Sequence, residues 1–514
     1  MRWLVFSNRP KVLYFKDSVP TGACIVLSLF FAMVFQFNGG VFLPAALQMS
    51  SALGCIQEDV TMAGYASFIG MTVIFPILFR LKSRFTTRMI FMVVCPVLIA
   101  CNLMMLHVEN IYVMIGVCFV SGFFRMCGTF ECFSNIRLSV TPSGNFSVFY
   151  PVIYIVVLES IQLSGLVTIQ ISDWANWRYM HWFVIGMLAC VWLCVFFLTK
   201  HVRMQRKTPL YGIDWLGGVL WGVVLFCVVF VCIYGDYYDW LDSARIRAAL
   251  VTAVVLILVS INRMHRVSRP YISPEVFGYR HFPTILVLFL ALCLFLTTAS
   301  VLQERFMRSI LNFDMLNAVS LNWYVFVGIL VGDGVVFYRQ VVLRKGFKFL
   351  ISLGFILIVV YQYCMYFLID PNLNIESLYF PNFLKGVGHG ILYISLTIYV
   401  AKSVPFKHFF QGLCVFFQGL CVLSFIRTSI ATPLGTAILN RWLRILQGEN
   451  IGLLARTIDK VQNVPVQELY GEVVRQTVLT SIKGLFGYVC VLGTVFLAVL
   501  LSYRLWRKIR FHEE

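Results

Sequence analysis

Apolar segments of about twenty residues recur along the whole chain and constrain the fold more than any other feature. A helix needs about 20 apolar residues to cross the hydrocarbon core of a bilayer. Only 12% of the 514 residues are charged and 60% are hydrophobic, too little charge to cover the surfaces of soluble domains. Fourteen segments are long and apolar enough: 21–44, 62–79, 88–106, 111–136, 146–170, 178–199, 212–234, 246–262, 281–302, 318–338, 347–368, 378–401, 410–434 and 480–503. The sequence therefore predicts an all-α polytopic membrane protein and excludes a cytosolic enzyme, a secreted disulfide scaffold and a disordered protein.

Basic and acidic connections alternate along the chain. Lys and Arg follow the predicted second, sixth, eighth and tenth spans, whereas the short connections between them are acidic, as at Glu58 and Asp236. Because basic connections stay in the cytoplasm, we predict that both termini are cytoplasmic. Arg80, Lys82 and Arg84 would then form a cytoplasmic gate loop. The net charge of +18 reflects topology and attraction to anionic lipid, so no nucleic-acid partner is predicted.

Two halves of the chain resemble each other. The segment from Gly70 to Arg84 is echoed by Gly328 to Gly346, and Arg125–Gly128 is echoed by Lys385–Gly388. Repeated halves are typical of transporters, whose substrate site lies near the midplane of the membrane. The predicted domains are a six-helix bundle at 1–200, two inserted helices at 201–270, and a second six-helix bundle at 271–514 with a long outer loop at about 435–479.

Charged residues inside the predicted spans are candidates for function, because each costs about 2.5–3.5 kcal/mol on insertion. Arg125 and Glu159 lie near the middle of neighbouring spans, where they could form a buried ion pair. A carboxylate beside a cation can release and rebind a proton as its surroundings change, so this pair is a candidate for proton coupling. A static salt bridge between the two helices is the alternative.

Five other polar residues lie within or near the spans. Glu131 is closer to the cytoplasmic end than Arg125 and faces a different neighbour. Asp333 stands between two glycines that allow close helix packing, with Arg339 or Arg344 as its expected partner. The remaining candidates are cationic or polar and would line the substrate cavity, where they would bind an anionic group or pair with Tyr and carbonyl oxygens: Lys385, His389 and Arg427.

Three local motifs carry a resemblance to a known family. The stretch 171–186 contains Trp177-Arg178 and resembles the entry to the sixth helix of the major facilitator superfamily, specifically of the fourteen-helix drug:proton antiporters. Residues 214–220, followed by Gly235 and Asp239-Trp240, are similar to that family's pattern around the seventh helix. Residues 427–438 match its thirteenth-helix pattern. The resemblance covers nearly the whole chain in topology.

The sequence also departs from that family. Leu43-Pro44 is kept in the first helix, but Phe35-Gln36 stands where the family has an acidic residue. The connection after the second helix is basic but lacks the usual acid, and the antiporter motif of the fifth helix is reduced to Ser164-Gly165. The resemblance thus carries proton coupling over only through Arg125, Glu159 and Asp333.

The resemblance implies a secondary transporter of the bacterial inner membrane that exports amphipathic small molecules by alternating access, driven by protons. In double-membrane bacteria it also implies a periplasmic adaptor and an outer-membrane channel as partners. We predict no cofactor and no metal, since the His residues are scattered and no ligand spacing appears. Uptake or export of a specific metabolite, lipid or siderophore is the alternative. A membrane-embedded transferase is a distant one.

Overall fold

The computed structural model describes residues 14–140, 146–201, 210, 213–279, 281–403, 422–423, 425–458 and 466–502. These residues form helices, apart from connections and one isolated antiparallel bridge between Phe15 and Thr199. The first ten helices are α1 (Thr21–Phe37), α2 (Ala46–Leu53), α3 (Gln57–Ile74), α4 (Leu78–Arg84), α5 (Thr87–Leu106), α6 (Ile111–Val140), α7 (Phe146–Trp174), α8 (Arg178–Leu198), α9 (Trp215–Tyr234) and α10 (Ala244–Arg266). The remaining seven are α11 (Glu275–Gly278), α12 (Phe282–Ser309), α13 (Met315–Phe337), α14 (Lys348–Leu368), α15 (Tyr379–Ser403), α16 (Thr432–Ile458) and α17 (Val466–Ser502).

Within the described ranges, twelve helices are long and apolar enough to cross a membrane. Each coincides with one of the fourteen predicted spans. The first predicted span is a shorter apolar helix, Gly22–Phe37, and the predicted span 410–434 falls largely outside the described residues. The chain is therefore a multi-pass membrane protein, and the count of fourteen stays a prediction, as do the cytoplasmic termini.

Helix α1 ends earlier than the sequence predicts. It stops at Phe37, and Asn38 takes an extended conformation. Gly40 follows with a left-handed φ of 79°, and its Cα lies against Cys118 of α6, where a Cβ would be 2.9 Å from the sulfur. Glycine is the residue that adopts this backbone conformation without a steric cost. The turn thus ends the helix while keeping the chain in contact with α6.

Most of the predicted outer loop at about 435–479 is helical, and its place outside the membrane stays a prediction. Helix α16 runs through Ile458 and α17 begins at Val466, while residues 459–465 lie outside the described residues. Charged residues such as Arg441 and Arg444 lower the hydropathy of this stretch, and hydropathy was the criterion for a span. They do not prevent a helix, because Arg has a high helix propensity.

The chain divides into two compact units. Unit 1 comprises Met1–Leu286 and Thr397–Ile430, and unit 2 comprises Val287–Leu396 and Ala431–Glu514. Each unit has its own apolar core. In unit 1 the rings of Phe35 and Phe91 stack with centroids 5.9 Å apart. The core of unit 2 contains Phe306, Tyr361 and Phe486, all fully buried. The predicted domain boundaries near residues 200 and 270 stay a prediction.

Helices α3 and α6 cross at two glycines in unit 1. A Cβ on Gly70 would collide with the carbonyl oxygen of Phe119, and a Cβ on Gly122 would collide with that of Ser67. The two backbones are therefore in direct contact, which small residues permit in membrane helices. This contact fixes the position of the residues next to Gly122 on α6.

Unit 2 repeats this crossing with α13 and α15. A Cβ on Gly328 would collide with the carbonyl oxygen of Phe383, and a Cβ on Gly386 with that of Val325. Each residue stands at the same place relative to its partner as in unit 1, so Gly328 corresponds to Gly70 and Gly386 to Gly122. The sequence echo between the halves thus has a structural counterpart in the way these two helix pairs pack.

Helices α9 and α10 form a hairpin that an ion pair closes. The Asp214 carboxylate caps α9 by accepting a hydrogen bond from the Gly217 amide at 3.0 Å, and it accepts another from Arg263 Nη2 at 2.7 Å. Burial raises the pKa of Asp214, but these hydrogen bonds lower it by more than burial raises it, so its pKa lies below the usual value. The carboxylate therefore stays ionised and holds the last turn of α10 against the first turn of α9.

The same hairpin is attached to α3 at both ends. Near one end the Tyr271 hydroxyl donates a hydrogen bond to the Val73 carbonyl oxygen at 2.5 Å. Near the other, the Tyr234 hydroxyl donates to Asp59 Oδ1 at 2.5 Å. The hairpin is thus held to α3 by its tyrosines and closed on itself by Asp214. The sequence motif Asp214-x-x-Gly217 therefore has a structural role in unit 1.

Candidate functional site

Four uncharged side chains form a buried network in unit 1, here called the Asn38 cluster: Asn38, Asn102, Ser121 and His181. The Asn38 amide donates to Ser121 Oγ at 3.3 Å, and the Asn102 amide donates to Asn38 Oδ1 at 2.8 Å. His181 Nδ1 lies 3.0 Å from Asn102 Oδ1. Because a carboxamide oxygen can only accept, His181 donates from Nδ1. All four side chains are at most 1% exposed, so the network is closed to water.

Arg125 lies on α6 close to this cluster, and its partner is an amide. Its guanidinium donates to Gln36 Oε1 at 3.2 Å, and Gln36 Nε2 donates to Thr129 Oγ1 at 3.2 Å. In the described part of the chain, this hydrogen bond of Arg125 goes to a neutral side chain rather than to Glu159. Gln36 is the residue at the position where the resembled family carries an acid, and the Arg125–Glu159 ion pair stays a prediction.

The predicted gate residues lie on the short helix α4, with different degrees of burial. Arg80 is half-buried and Arg84 is exposed. The ammonium of Lys82 lies 3.3 Å from Glu131 Oε2 and also contacts Ser134 and Asn135. Thr87 donates to the other Glu131 oxygen at 2.6 Å. The structure thus brings together Lys82 and Glu131, which the sequence placed in separate groups.

Glu159 and Asp333 are both buried. Glu159 lies on α7 and is 7% exposed. Asp333 lies on α13 and is fully buried, with Oδ1 close enough to Gly390 of α15 that a Cβ there would be 2.8 Å away. Among the described residues, neither oxygen of the Asp333 carboxylate has a hydrogen-bond partner.

Neither arginine expected beside Asp333 pairs with it in the part of the chain that the structure describes. The guanidinium of Arg339 stacks over the Phe349 ring, 4.3 Å from its centroid. Arg344 is exposed and has a left-handed φ of 49°. The helix continues past Phe337 as a π-helical turn, Tyr338–Val342, which rotates the following side chains relative to a regular α-helix. The predicted pair between Asp333 and Arg339 or Arg344 is therefore wrong for the described part of the chain.

A second polar network lies in unit 2 and is here called the Gln303 cluster: Gln303, Tyr361, Asn382 and Lys385. Gln303 Oε1 accepts hydrogen bonds from the Tyr361 hydroxyl at 2.8 Å and from Lys385 Nζ at 3.3 Å. Gln303 Nε2 donates to Asn382 Oδ1 at 3.2 Å. The Lys385 ammonium also lies 5.5 Å from the centroid of the Tyr361 ring, within the range of a cation–π contact.

The other two cavity candidates are placed differently. His389 follows Lys385 by one helical turn, and its ring meets the Tyr393 ring edge-on, with centroids 5.9 Å apart. Arg427 lies in a π-helical turn, Phe425–Ala431, but its side chain lies outside the described residues. The structure therefore describes Lys385 and His389 one turn apart on α15, and their grouping with Arg427 stays a prediction.

The two clusters hold residues that the sequence pattern did not single out, notably Asn38, Asn102, Gln303 and Tyr361. All are uncharged, so the presence of charge within an apolar segment does not identify them. Their common signal is an amide or hydroxyl within an apolar segment, a group that needs a hydrogen-bond partner when it is buried. Within the described residues, no group of three or more His, Cys, Asp and Glu is placed to hold a metal ion.

No protein-family model matches the sequence, and no curated protein matches it. Solved structures are similar over almost the whole chain. A point mutant of the nucleoside transporter NupG aligns with a TM-score of 0.55 and 12% identity over 93% of this chain and 99% of its own. The transporter PepTSo2 aligns with a TM-score of 0.57 and 13% identity over 94% of this chain and 98% of its own.

A third similar structure is the human organic anion transporter MFSD10, with a TM-score of 0.52 and 12% identity over 92% of this chain and 98% of its own. These similar structures are those of major facilitator-type transporters. At such low identity the likeness concerns the fold. The chain therefore has the fold of a major facilitator-type transporter.

Proposed function

We propose that this chain is a proton-coupled secondary transporter that exports amphipathic small molecules by alternating access. The observation that carries the proposal is Asp333, a fully buried carboxyl group without a hydrogen-bond partner among the described residues. A carboxylate in an apolar helix pair costs several kcal/mol unless it is paired or protonated. Such a group is stable when it holds a proton and loses that proton when water reaches it.

The surroundings of Asp333 suit a proton carrier. Its carboxyl group lies at the contact of α13 and α15, beside Gly390, where no bulky side chain separates the two backbones. A small displacement between these helices would therefore change the access of water to the carboxyl group. Proton binding and helix packing are linked in this way, which is the requirement for coupling a proton gradient to a conformational change.

Glu131 is suited to another role than Asp333. Its carboxylate is held by the Lys82 ammonium and the Thr87 hydroxyl. We therefore assign Glu131 to a latch that ties α4 and the start of α5 to α6. Glu159 remains the second candidate for proton coupling, and Arg125 would orient the residues around Gln36.

The experiment uses inside-out vesicles that contain the protein. A proton gradient is established, a fluorescent dye reports it, and a panel of amphipathic compounds is added. We expect compounds to trigger proton movement in the wild type and the rate to fall at least about tenfold in Asp333→Asn, because an amide cannot take up a proton at neutral pH. Asp370→Asn is the matched control, since Asp370 is exposed in a connection of the same unit.

Three other outcomes would contradict parts of this proposal. Proton movement that survives in Asp333→Asn but is lost in Glu159→Gln would assign coupling to Glu159. Compound exchange without proton movement in the wild type would exclude proton coupling. Loss of folded Asp333→Asn protein, judged by thermal unfolding in detergent, would make Asp333 a structural residue.

Transport of a specific metabolite is the second candidate function. Two observations favour it over broad drug export. The residue at the position of the family's first-helix acid is Gln36, and it bonds to Arg125, so one element of the antiporter pattern is neutral. The similar structures include transporters of nucleosides and organic anions. The adaptor and the outer-membrane channel are part of the drug-export proposal only, and co-purification from a double-membrane bacterium would test them.

A further inference from the structure

The ammonium of Lys385 is held in place by neutral side chains that are themselves almost completely buried. Tyr361, Gln303 and Asn382 are 0%, 4% and 1% exposed. The orientation of the Gln303 amide is fixed, because its oxygen accepts from both Tyr361 and Lys385 while its nitrogen donates to Asn382. Asn382 is fixed in turn, since its amide donates to the Leu378 carbonyl oxygen at 2.8 Å. The cluster is therefore a rigid support for a cation.

The charge of Lys385 has no counter-ion in the part of the chain that the structure describes. Lys385 belongs to none of the ion pairs seen among the described residues. Its hydrogen bond goes to one neutral oxygen, which it shares with the Tyr361 hydroxyl. An ammonium has three N–H donors, so two remain for another partner. Lys385 is also partly exposed, unlike the three residues that support it.

The equivalent position in unit 1 shows what a closed site looks like. Ser121 precedes the crossing glycine Gly122 as Lys385 precedes Gly386. Ser121 is fully buried and accepts a hydrogen bond from Asn38. The packing of the two helix pairs is the same, so the scaffold does not require a cation at this point. A lysine at this position is therefore free to serve ligand binding instead of helix packing.

We infer that Lys385 binds an anionic group of the transported molecule, a carboxylate, sulfonate or phosphate, on the support of Gln303, Tyr361 and Asn382. The inference rests on the proposed transport function and specifies its substrate class. The two free N–H donors would contact two oxygens of the anion, in charge-assisted hydrogen bonds. The Tyr361 ring lies on one side of the ammonium and restricts the direction from which the anion approaches.

The test measures binding without a membrane or a gradient, so it is independent of proton coupling. Purified protein in detergent is titrated with matched pairs of probes, and ligand-induced thermal stabilisation is recorded. The probes are 1-naphthoate with its methyl ester, naphthalene-2-sulfonate with its sulfonamide, and 1-naphthyl phosphate with 1-naphthol. We expect at least one anion to stabilise the wild type more than its neutral partner. In Lys385→Gln its affinity should fall about 10- to 100-fold.

Two further variants separate binding from folding. Lys385→Arg keeps the charge and should retain part of the anion preference. Lys483→Gln is the matched control, because the Lys483 ammonium also lies over a tyrosine ring, 5.7 Å from the centroid of Tyr366, but has no amide support. It should leave the preference unchanged.

Either of two results would overturn the inference. One is a wild type that binds no anion better than its neutral partner, and the other is an anion preference that survives in Lys385→Gln. Anion binding lost in Lys385→Gln but kept in Asp333→Asn, together with failure of proton-driven transport, would refute the proposed coupling and leave this inference standing. Proton-driven transport of anionic and neutral substrates at equal rates would refute this inference and leave the proposed coupling standing.

Discussion

The Asn38 cluster and the Gln303 cluster occupy equivalent places in the two units and differ in one respect. Each is organised by an amide that bonds to the residue before a crossing glycine, Ser121 in unit 1 and Lys385 in unit 2. The first is neutral and fully buried, whereas the second contains a lysine that is partly exposed as a residue. The same helix packing thus supports either a neutral network or one that contains a cation, and a single side chain decides between them.

Nearer the ends of these helices the contrast is reversed, and the charged residues lie in unit 1. Lys82 and Glu131 form a buried ion pair in unit 1. The residues at the same distance from the crossing glycines in unit 2 are Gln340 and Ser395. Within the described chain, Gln340 Nε2 and Ser395 Oγ have no hydrogen-bond partner. At these positions unit 1 therefore has a buried ion pair, and unit 2 has two uncharged side chains.

The largest expected effect comes from breaking the ion pair of unit 1. Lys82→Ala leaves the Glu131 carboxylate, 2% exposed, without its cation, and we expect a loss of about 3–5 kcal/mol in the free energy of unfolding. Gln340→Ala should cost about 1 kcal/mol or less. Denaturant unfolding of the purified protein measures both. The double variant Lys82→Gln, Glu131→Ser copies unit 2 and should recover most of the loss. Equal effects of Lys82→Ala and Gln340→Ala would contradict the comparison.

Exchanging the residues before the crossing glycines should have opposite effects in the two units. Ser121→Lys introduces a cation into a closed neutral network and should destabilise the protein by about 2.5–3.5 kcal/mol. Lys385→Ser removes a cation without a counter-ion among the described residues, and Tyr361 still donates to Gln303, so stability should be equal to or above that of the wild type. Thermal unfolding in detergent, without added anions, distinguishes the two. A stable Ser121→Lys variant beside an unstable Lys385→Ser variant would show that the clusters are not equivalent.

Valine at the crossing glycines should affect the two units alike. Gly122→Val and Gly386→Val each place a side chain against a backbone carbonyl oxygen of the neighbouring helix, and we expect a cost of about 1–3 kcal/mol for each. The yield of monodisperse protein and the unfolding midpoint provide the measurement. Tolerance of valine in only one unit would mean that the two crossings differ in tightness.

The smallest effect is expected at glycines that face away from the crossings. Gly116 on α6 and Gly334 on α13 are exposed, and a Cβ at either would meet nothing within 4 Å. Alanine at each should stabilise its helix by about 0.5–1 kcal/mol, since glycine loses more backbone entropy on folding. These variants are matched controls for the valine substitutions. A loss of stability at either position would indicate a contact that the helix packing does not account for.

The spans of this protein follow from its sequence because apolar length alone decides whether a helix can cross a membrane. Twelve of the fourteen predicted spans are helices of that kind among the described residues. The helical character of the stretch 435–479 does not show in its hydropathy, because Arg and Glu lower hydropathy without breaking a helix. The end of α1 was misjudged because hydropathy does not register the left-handed turn at Gly40.

The candidate site was predictable in its charged residues and not in its partners. Asp333, Glu131 and Lys385 stand out in apolar segments because charge is costly there. Their partners depend on helix rotation and packing, which the sequence pattern does not specify. The π-helical turn after Phe337 directs Arg339 to Phe349 instead of Asp333. Asn38 and Gln303 were missed because a single amide lowers the hydropathy of a span only slightly.

The hairpin α9–α10 has a consequence for the orientation of the helices that follow it. The ion pair of Asp214 with Arg263 joins the first and last turns of the hairpin itself, so both partners of this contact belong to the hairpin. Two consecutive spans return a chain to the side of the membrane from which it entered. A helical pair closed in this way therefore leaves the orientation of every later helix unchanged.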